Sequence, residues 1–234
     1  MSELKSYTLE TNQGPHLNLN EDLIDVDILH KLFVVIDGFG GSNIGDRIAL
    51  QTKDCIKNFF GKISRDPDST LPFFFSSKYL LETNSLINAF RLAHENIAKE
   101  NAIRPMSSRG GASVIAAALT ENMVSLVSTG NCMAFLFRKE NLFTQMLPDV
   151  FANAPMSGVG LFEDFHYQVS EFKILPGDTL ILLTDGAYQR CELEEIKGIL
   201  LQYPDRNKEM IQEIFQMTND RGNLDNQSAL ILQF

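Results

Sequence analysis

The sequence predicts an α+β fold in which antiparallel sheets are covered by helices. Short apolar, β-branched runs that stop at turns come in blocks, and so do segments whose apolar residues recur at helical spacing. This order departs from the strict alternation of strands and helices that is typical of a parallel doubly wound sheet. The sequence also contains no internal repeat. We therefore expect one domain that spans residues 1–234.

The first part of the chain predicts one strand and two helices. Residues 31–36 form an apolar, β-branched run that stops at Asp37-Gly38, which is the pattern of a buried strand entering a tight turn. Residues 45–62 and 80–99 carry apolar residues at helical spacing. Residues 66–72 lie between them, contain two prolines and predict a loop.

The rest of the chain predicts a block of strands, a strand that ends at Asp185-Gly186, two helices and a closing strand. Residues 147–165 are rich in Pro, Gly, Asn and Ser and lack periodicity, so we expect an extended surface loop that acts as a flap. The predicted elements are a β-meander (112–119, 123–128, 134–138 and 142–146), a strand (179–184), helices (192–201 and 206–218) and a strand (227–234).

Charge and cysteine content exclude several classes of protein. The net charge of −10, from 30 acidic and 20 basic residues, repels a nucleic-acid backbone. Three cysteines without CxxC spacing indicate neither a disulfide framework nor a thiolate zinc site, which fits a reducing compartment. No run approaches the roughly 20 apolar residues of a membrane span, and the N-terminus lacks the pattern of a secretory signal. We expect a cytoplasmic protein, with export by a signal-free route left open.

Four aspartates stand at strand ends or turns: Asp22, Asp37, Asp185 and Asp225. Hard divalent cations such as Mg²⁺ and Mn²⁺ take oxygen ligands, and a pair of them needs several carboxylates to offset its charge. Gly38 follows Asp37, and without a β-carbon its carbonyl and a bound water can approach a metal closely. A lone Asp-Gly is more often a turn, so the case for a two-metal site depends on the set as a whole.

The order of these motifs resembles that of the protein phosphatase 2C (PPM-type) family of metal-dependent Ser/Thr phosphatases. The series runs Asn-Glu-Asp, Asp-Gly-x-Gly-Gly, Gly-Ala-Ser, Gly-Asn-Cys, Pro-Gly-Asp with Thr-Asp-Gly, and Asp-Asn-Gln-Ser, and it covers nearly the whole chain. Its strongest pieces are residues 33–41, 175–187 and 225–232. The compact length is similar to that of the bacterial branch.

The resemblance implies a four-layer α-β-β-α sandwich of two antiparallel sheets, with two Mg²⁺ or Mn²⁺ ions at one end. A metal-activated water would attack the phosphorus of phosphoserine or phosphothreonine in a protein substrate. By motif, Asp37 would bridge the metals, Gly38 would offer its carbonyl, and Asp185 and Asp225 would hold one ion, so that Asp37 and Asp185 are the catalytic positions. The acidic pair Glu21 and Asp22 would support the metals directly or through water.

Three positions depart from the family pattern. Leu17 stands where members usually carry an arginine that grips the substrate phosphate, which predicts weak phosphate binding; His16 is adjacent, but a lone loop histidine is more often solvated. Phe39 replaces a histidine of eukaryotic members and a common bacterial methionine. Asn131 replaces a carboxylate associated with an extra metal, and its neutral amide would hold a third ion more weakly.

Three functional hypotheses therefore compete. The first is an active phosphatase whose partners are phosphorylated proteins, with a Ser/Thr kinase or its targets expected from the resemblance. The second is a pseudophosphatase that uses the fold as a binding or regulatory module. The third is an acidic, metal-buffering or structural domain unrelated to phosphate. In each case we expect a monomer.

Other candidate motifs carry less chemistry. Residues 107–111 lack the Gly-Lys-Ser ending of a phosphate-binding loop, and residues 38–41 lack the spacing of a dinucleotide fingerprint. Cys132 has no basic cluster around it and is interpreted as a packed thiol. The aromatic triplet at residues 73–75 is either a docking patch or, with the higher expectation, part of the core.

Overall fold

The strands and helices come in blocks along the chain. The computed structural model describes residues 3–41, 44–66, 68–138, 142–147, 157–161 and 165–234. Its strands are β1 (Ser6–Asn12), β2 (Asp22–Asp27), β3 (Leu32–Gly40), β4 (Gly110–Thr120), β5 (Met123–Thr129), β6 (Met133–Arg138), β7 (Leu142–Gln145), β8 (Gln168–Lys173), β9 (Thr179–Leu183) and β10 (Gln227–Gln233). Its helices are α1 (Gly45–Arg65), α2 (Leu81–Ala102), α3 (Asp185–Tyr188), α4 (Leu193–Gln202) and α5 (Asn207–Asp220).

Within these residues the strands form two five-stranded antiparallel sheets. The β3 sheet has the order β2-β3-β4-β5-β8, and the β9 sheet has the order β1-β10-β9-β6-β7. The first and last strands of the chain are neighbours, since Ser6 of β1 lies opposite Gln233 of β10. The predicted pair of antiparallel sheets flanked by helices is therefore confirmed.

Three apolar cores separate the layers, and the alternation along β3 shows how. Leu32, Val34 and Ile36 face α1 and α2, whereas Phe33 and Val35 face the other sheet. Successive side chains of a strand point to opposite faces, so a strand that is covered on both sides is apolar at every position. The β9 strand alternates in the same way: its residues face the β3 sheet on one side and helices α4 and α5 on the other. The layers are thus helix, sheet, sheet, helix.

The structure differs from the sequence prediction at β5 and β6. The predicted β-meander is wrong, because β5 pairs with β8 in one sheet while β6 pairs with β9 in the other. The chain crosses between sheets at Gly130, whose φ of +83° belongs to the left-handed region that favours glycine. A β-carbon there would lie 2.5 Å from Ser113 Oγ. This crossing carries Asn131 to the end of the sandwich.

Strands β1, β2 and β8 were not predicted from the sequence, and all three lie at sheet edges. Their residues are mostly half-buried or exposed, as at Ser6–Asn12, so no continuous apolar run marks them. An edge strand pairs on one side only and commonly carries polar side chains.

Two smaller predictions can be compared with the structure. Cys132 is a packed thiol, as predicted, with 2% of its surface exposed. The aromatic triplet divides: Phe74 packs against the core beneath α2 and Phe73 lies under the Arg91 guanidinium, whereas Phe75 is 68% exposed, contrary to the expectation of burial.

The loop predicted at residues 147–165 lies mostly outside the described residues. In the described ranges, no helix combines the length and the apolar character that crossing a membrane requires.

Candidate metal centre

One end of the sandwich contains a cavity of about 240 Å³ that receives side chains from both sheets. Its described lining consists of Glu21, Asp37, Gly38, Phe39, Ser113, Asn131, Ser157, Asp185 and Asp225. Five of the six predicted site residues are in this set, and Asp22 is the exception. The structure therefore brings together residues that are up to 204 positions apart in sequence, from Glu21 to Asp225.

Asp37 and Asp22 stand directly opposite each other on β3 and β2. Burial, and then repulsion from Asp185, Asp22, Asp225 and Glu21, raises the pKa of Asp37 well above its usual range. Burial also raises the pKa of Asp22 to about 7. The Asp22 carboxylate accepts a hydrogen bond from Thr184 Oγ1 of the other sheet at 2.9 Å. Asp22 thus ties the two sheets together behind the cavity.

Glu21 joins the cavity to the start of α1. Its Oε1 accepts a hydrogen bond from the Gly45 N–H at 2.7 Å, where the first amides of a helix lack partners. Burial raises the pKa of Glu21, and this hydrogen bond opposes the shift. The backbones of Glu21 and β3 are also in contact, because the Gly38 N–H donates to Glu21 O at 3.1 Å. Glu21 is therefore held by α1 and β3 together.

Asp185 and Asp225 come from the β9 sheet. Asp185 lies two residues after the end of β9 and is the first residue of the short helix α3, while Asp225 is exposed and lies two residues before β10. Burial and the charge of Asp225 raise the pKa of Asp185 to about 6. The Asn131 side chain hydrogen-bonds to Asp185 and partly opposes this shift. An amide at position 131 can donate to a carboxylate, which a second carboxylate could do only if protonated.

Asn226 fixes the loop that precedes Glu21. Its Oδ1 accepts a hydrogen bond from the Glu21 N–H at 2.8 Å, and its Nδ2 donates to Gln13 O at 2.7 Å and Leu19 O at 3.1 Å. The side chain is 3% exposed. Asp225 and Asn226 are adjacent in the chain. Asp225 places its carboxylate in the cavity, and Asn226 anchors the Asn-Glu-Asp motif that contains Glu21.

The donor set of the cavity fits a hard divalent cation. In its described lining the ionisable groups are carboxylates, and the remaining donors are a carbonyl, an amide and hydroxyls. Buried carboxylates that raise one another's pKa are stabilised by a neutralising cation. Among the described residues, no three His, Cys, Asp or Glu side chains are close enough to hold one ion by themselves. An ion held here would also need the Gly38 carbonyl or water among its ligands.

Of the positions that depart from the family pattern, Phe39 and Asn131 line the cavity, whereas Leu17 lies outside its described lining. Leu17 and His16 are exposed and do not belong to the described lining of the cavity. Arg, Lys and His are also missing from that described lining, so no cationic side chain there takes the place of the arginine. The Phe39 ring lies beside Gly158, where a β-carbon would be 3.2 Å from Phe39 Cζ.

Sequence reasoning missed the roles of Ser157, Thr184 and Asn226 in this arrangement. In their motifs Thr184 and Asn226 are marked only as neighbours of the aspartates, yet both make hydrogen bonds between separate parts of the chain. Ser157 lies in the aperiodic stretch, where no pattern marks it. Ser113 belongs to the Gly-Ala-Ser motif and stands opposite Asp37 in register.

Comparisons with known proteins agree with this geometry. The sequence model of the stage II sporulation protein E (SpoIIE) family matches residues 84–232. No curated protein matches the chain in sequence. Among solved structures, PppA, described as a key regulatory component of T6SS in Pseudomonas aeruginosa, superposes with a TM-score of 0.78, 21% identity and 98% coverage of both chains.

Two phosphatase structures are similar to the same extent. The PPM Ser-Thr phosphatase MsPP from Mycobacterium smegmatis, in complex with cacodylate, has a TM-score of 0.75, 18% identity and 100% coverage of both chains. The catalytic domain of the serine threonine protein phosphatase PstP, in complex with 2 manganese ions, has a TM-score of 0.76, 19% identity and 97% coverage of both. The chain belongs to the stage II sporulation protein E (SpoIIE) family and has the fold of the PPM-type phosphatases.

Proposed function

We propose that the protein hydrolyses phosphoserine and phosphothreonine in other proteins, with Mg²⁺ or Mn²⁺ bound in the cavity. The observation that carries the proposal is that Glu21 and Asp37 of one sheet and Asp185 and Asp225 of the other line a single cavity. Two divalent ions in such a site supply Lewis-acid stabilisation and a water acidic enough to act as a nucleophile at neutral pH.

The proposed roles follow from where each group lies. Asp37 is half-buried among other carboxylates and would hold both ions, with the Gly38 carbonyl beside it. Asp185 and Asp225 would hold one ion from the β9 sheet. Glu21 would support the ions from the start of α1, while Asp22 would act through its hydrogen bond to Thr184. The neutral Asn131 would hold a third ion weakly, because its amide is engaged by Asp185.

A binding module is the second candidate, and one observation favours it. The described lining of the cavity has no cationic side chain, and Leu17 is exposed where the family carries its phosphate-gripping arginine. A phosphate would then be recognised mainly through the metals and neutral donors. Weak binding with slow turnover, or binding without turnover, would follow.

The biological setting is also inferred. We propose that the partners are phosphorylated proteins, among them a Ser/Thr kinase or its targets, and that the chain acts as a monomeric single domain. All three cysteines, Cys55, Cys132 and Cys191, are free. Unpaired thiols fit the reducing cytoplasm.

The experiment is hydrolysis of a phosphothreonine peptide with Mn²⁺, Mg²⁺ or a chelator. We compare the wild-type protein with Asp37→Asn and with Asp54→Asn, an exposed aspartate of α1 that serves as the matched control. Metal-dependent turnover that is lost only in Asp37→Asn supports the phosphatase. Metal-bound protein without turnover supports the binding module, and metal binding unaffected by Asp37→Asn supports a metal-buffering domain.

A further inference from the structure

A short segment, Ser157–Gly160, connects the cavity to α2. At one end Ser157 lines the cavity, and its Oγ accepts a hydrogen bond from the Gly130 N–H at 3.1 Å. In the middle Val159 and Ala112 exchange two backbone hydrogen bonds, at 2.8 and 3.1 Å. The segment is therefore attached to the edge of the cavity as an added piece of sheet, although residues on both sides of it lie outside the described ranges.

At its other end the segment is held by two side chains of α2. The Gly160 N–H donates to His94 Nδ1 at 3.1 Å. The Asn101 Nδ2 donates to Gly160 O at 2.8 Å and to Gly110 O at 2.7 Å, and its Oδ1 accepts from the Gly110 N–H at 3.3 Å. His94 and Asn101 are 5% and 4% exposed. Buried polar groups of this kind are costly to leave unpaired, so they define one position for the segment.

His94 must be unprotonated at Nδ1 to accept this bond. Burial lowers the pKa of His94, which agrees with an acceptor role. Gly160 has a φ of +92°, and a β-carbon there would overlap Ile97 of α2. Helix α2 and the segment Ser157–Gly160 are thus in direct contact, with no room for a side chain at Gly160.

Among the described residues, no acceptor takes the proton of the Ser157 hydroxyl, so we expect that proton to be available to a group in the cavity. Its oxygen accepts from the Gly130 N–H and lies 3.5 Å from Thr129 Oγ1, whose proton is donated to His166 O at 2.7 Å. The described lining of the cavity holds no cationic side chain. Neutral donors at its wall are therefore the side chains available to bind phosphate oxygens.

We propose that Ser157 donates a hydrogen bond to the substrate phosphate, and that His94 and Asn101 are positioning residues that hold Ser157 in place from α2. The inference rests on the proposed function and deepens it, because it assigns the group that replaces part of the missing arginine. It also makes α2, which contributes no residue to the described cavity lining, a determinant of phosphate affinity.

The test measures binding of inorganic phosphate to the Mn²⁺-loaded protein by calorimetry. Hydrogen bonds to charged groups are the stronger class, so Ser157→Ala should weaken binding about tenfold. His94→Asn keeps an acceptor near the position of Nδ1 and should bind phosphate as the wild type does. His94→Gln, a polar control of similar size, places its amide farther out and should approach the loss seen in Ser157→Ala. The double variant Ser157→Ala/His94→Gln should lose no more than Ser157→Ala alone.

A second readout uses the metal-free protein. Hydrogen exchange at the Gly160 amide should accelerate about tenfold in His94→Gln and remain slow in His94→Asn. This change should occur without loss of the unfolding transition, which separates positioning from general destabilisation.

Three results would overturn the inference: wild-type protein that binds no phosphate, Ser157→Ala that binds as the wild type does, or losses in Ser157→Ala and His94→Gln that multiply in the double variant. Turnover of a phosphothreonine peptide is measured alongside. If turnover is absent while Ser157→Ala weakens phosphate binding, the phosphatase proposal fails and this inference stands. If turnover is present while Ser157→Ala leaves phosphate binding unchanged, the reverse holds.

Discussion

Gly38 and Gly45 face each other where β3 meets the first residue of α1, and neither position has room for a β-carbon. A β-carbon on Gly45 would lie 2.5 Å from Gly38 O and 2.6 Å from the Glu21 carboxylate, while one on Gly38 would overlap Gly45 O. The cavity wall and the start of α1 are therefore in backbone contact. A substitution of either glycine should therefore displace groups of the metal centre.

Gly45→Ala should lower both stability and Mn²⁺ affinity. Overpacking of this kind costs about 1–3 kcal/mol, and the Glu21 carboxylate must move to make room. Calorimetry of Mn²⁺ binding and thermal unfolding measure the two effects. Gly198→Ala is the control, because a β-carbon at this exposed site in α4 meets nothing within 4 Å. It should leave metal affinity unchanged and stabilise the helix by about 0.5–1 kcal/mol. Equal Mn²⁺ affinity in the two variants would contradict the argument.

Asn226→Ala should weaken metal binding although Asn226 is not in the described cavity lining. The change frees the Glu21 N–H and the carbonyls of Gln13 and Leu19, at a cost of about 1–3 kcal/mol for each group that stays unsatisfied. Asn84→Ala is the control, since Asn84 holds the loop at residues 76–80 through a similar set of hydrogen bonds. Both variants should lose stability, and only Asn226→Ala should lose Mn²⁺ affinity. Unchanged affinity in Asn226→Ala would sink this prediction.

The metal-free protein should become less stable as the pH rises from about 4 to about 7. The pKa of Asp22 is raised to about 7 and that of Asp185 to about 6, so the folded state binds more protons than the unfolded state across this window. The stabilisation is complete below the unfolded pKa and is lost as the pH passes the folded values. Thermal unfolding in chelator at pH 5 and pH 8 measures it, and Mn²⁺ should restore stability at pH 8.

Asp22→Asn should reduce the pH dependence without abolishing it, because the raised pKa values of Asp185, Asp37 and Glu21 act in the same direction. Other shifted groups differ in the sign of their effect or in the pH range where they act. The lowered pKa of His94 acts in the opposite direction, and Glu195, whose pKa Arg221 lowers to about 2, changes stability only below its unfolded value. A slope in Asp22→Asn equal to that of the wild type would show that Asp22 is not the source.

Arg138→Leu should destabilise the fold without affecting metal binding. Asp178 is 1% exposed at its side chain and accepts hydrogen bonds from Arg138 Nε at 2.9 Å and from Nη2 at 2.7 Å. Removing the arginine leaves a buried charge without its partner, which costs about 3 kcal/mol. The pair lies at the end of β9 opposite Asp185, so Mn²⁺ affinity should not change. Denaturant unfolding and calorimetry test both parts.

The control for that variant is Arg221→Leu, which removes a surface pair. Arg221 and Glu195 also form two hydrogen bonds, but their side chains are 41% and 34% exposed. Solvent screens such a pair, so its loss should shift the unfolding midpoint far less than the loss of Arg138 does. Equal shifts would mean that the burial of Asp178 contributes nothing.

The sequence predicted the parts of the fold that are buried on both sides. Asp37 and Asp185 were found because each ends an apolar run, and those runs are the central strands β3 and β9. Strands β1, β2 and β8 were missed because an edge strand needs no apolar run. The crossing of the chain between sheets at Gly130 was not predicted, because the strands before and after Gly130 have similar apolar patterns.

The site was less predictable than the strands that carry it. Asp37 lies within β3, which continues to Gly40 and does not enter the tight turn that was predicted there, and Asp22 begins the edge strand β2. Only the pairing of sheets shows that Asp22 bonds to Thr184 behind the cavity. The anchoring by Asn226 joins residues that are 205 positions apart, and no local pattern contains that information. Ser157 likewise depends on α2, which is more than 50 residues away in the chain.

The order of strands in the β9 sheet also has a consequence for synthesis. β10 lies between β1 and β9, so β1 has no partner strand until residues 227–233 have left the ribosome. Asp225 emerges just before them. Before that point the chain has three of the four cavity carboxylates, and only Asp185 of these comes from the β9 sheet. Long-range pairing of this kind forms slowly. The cavity should therefore be complete only after β10 has joined the β9 sheet.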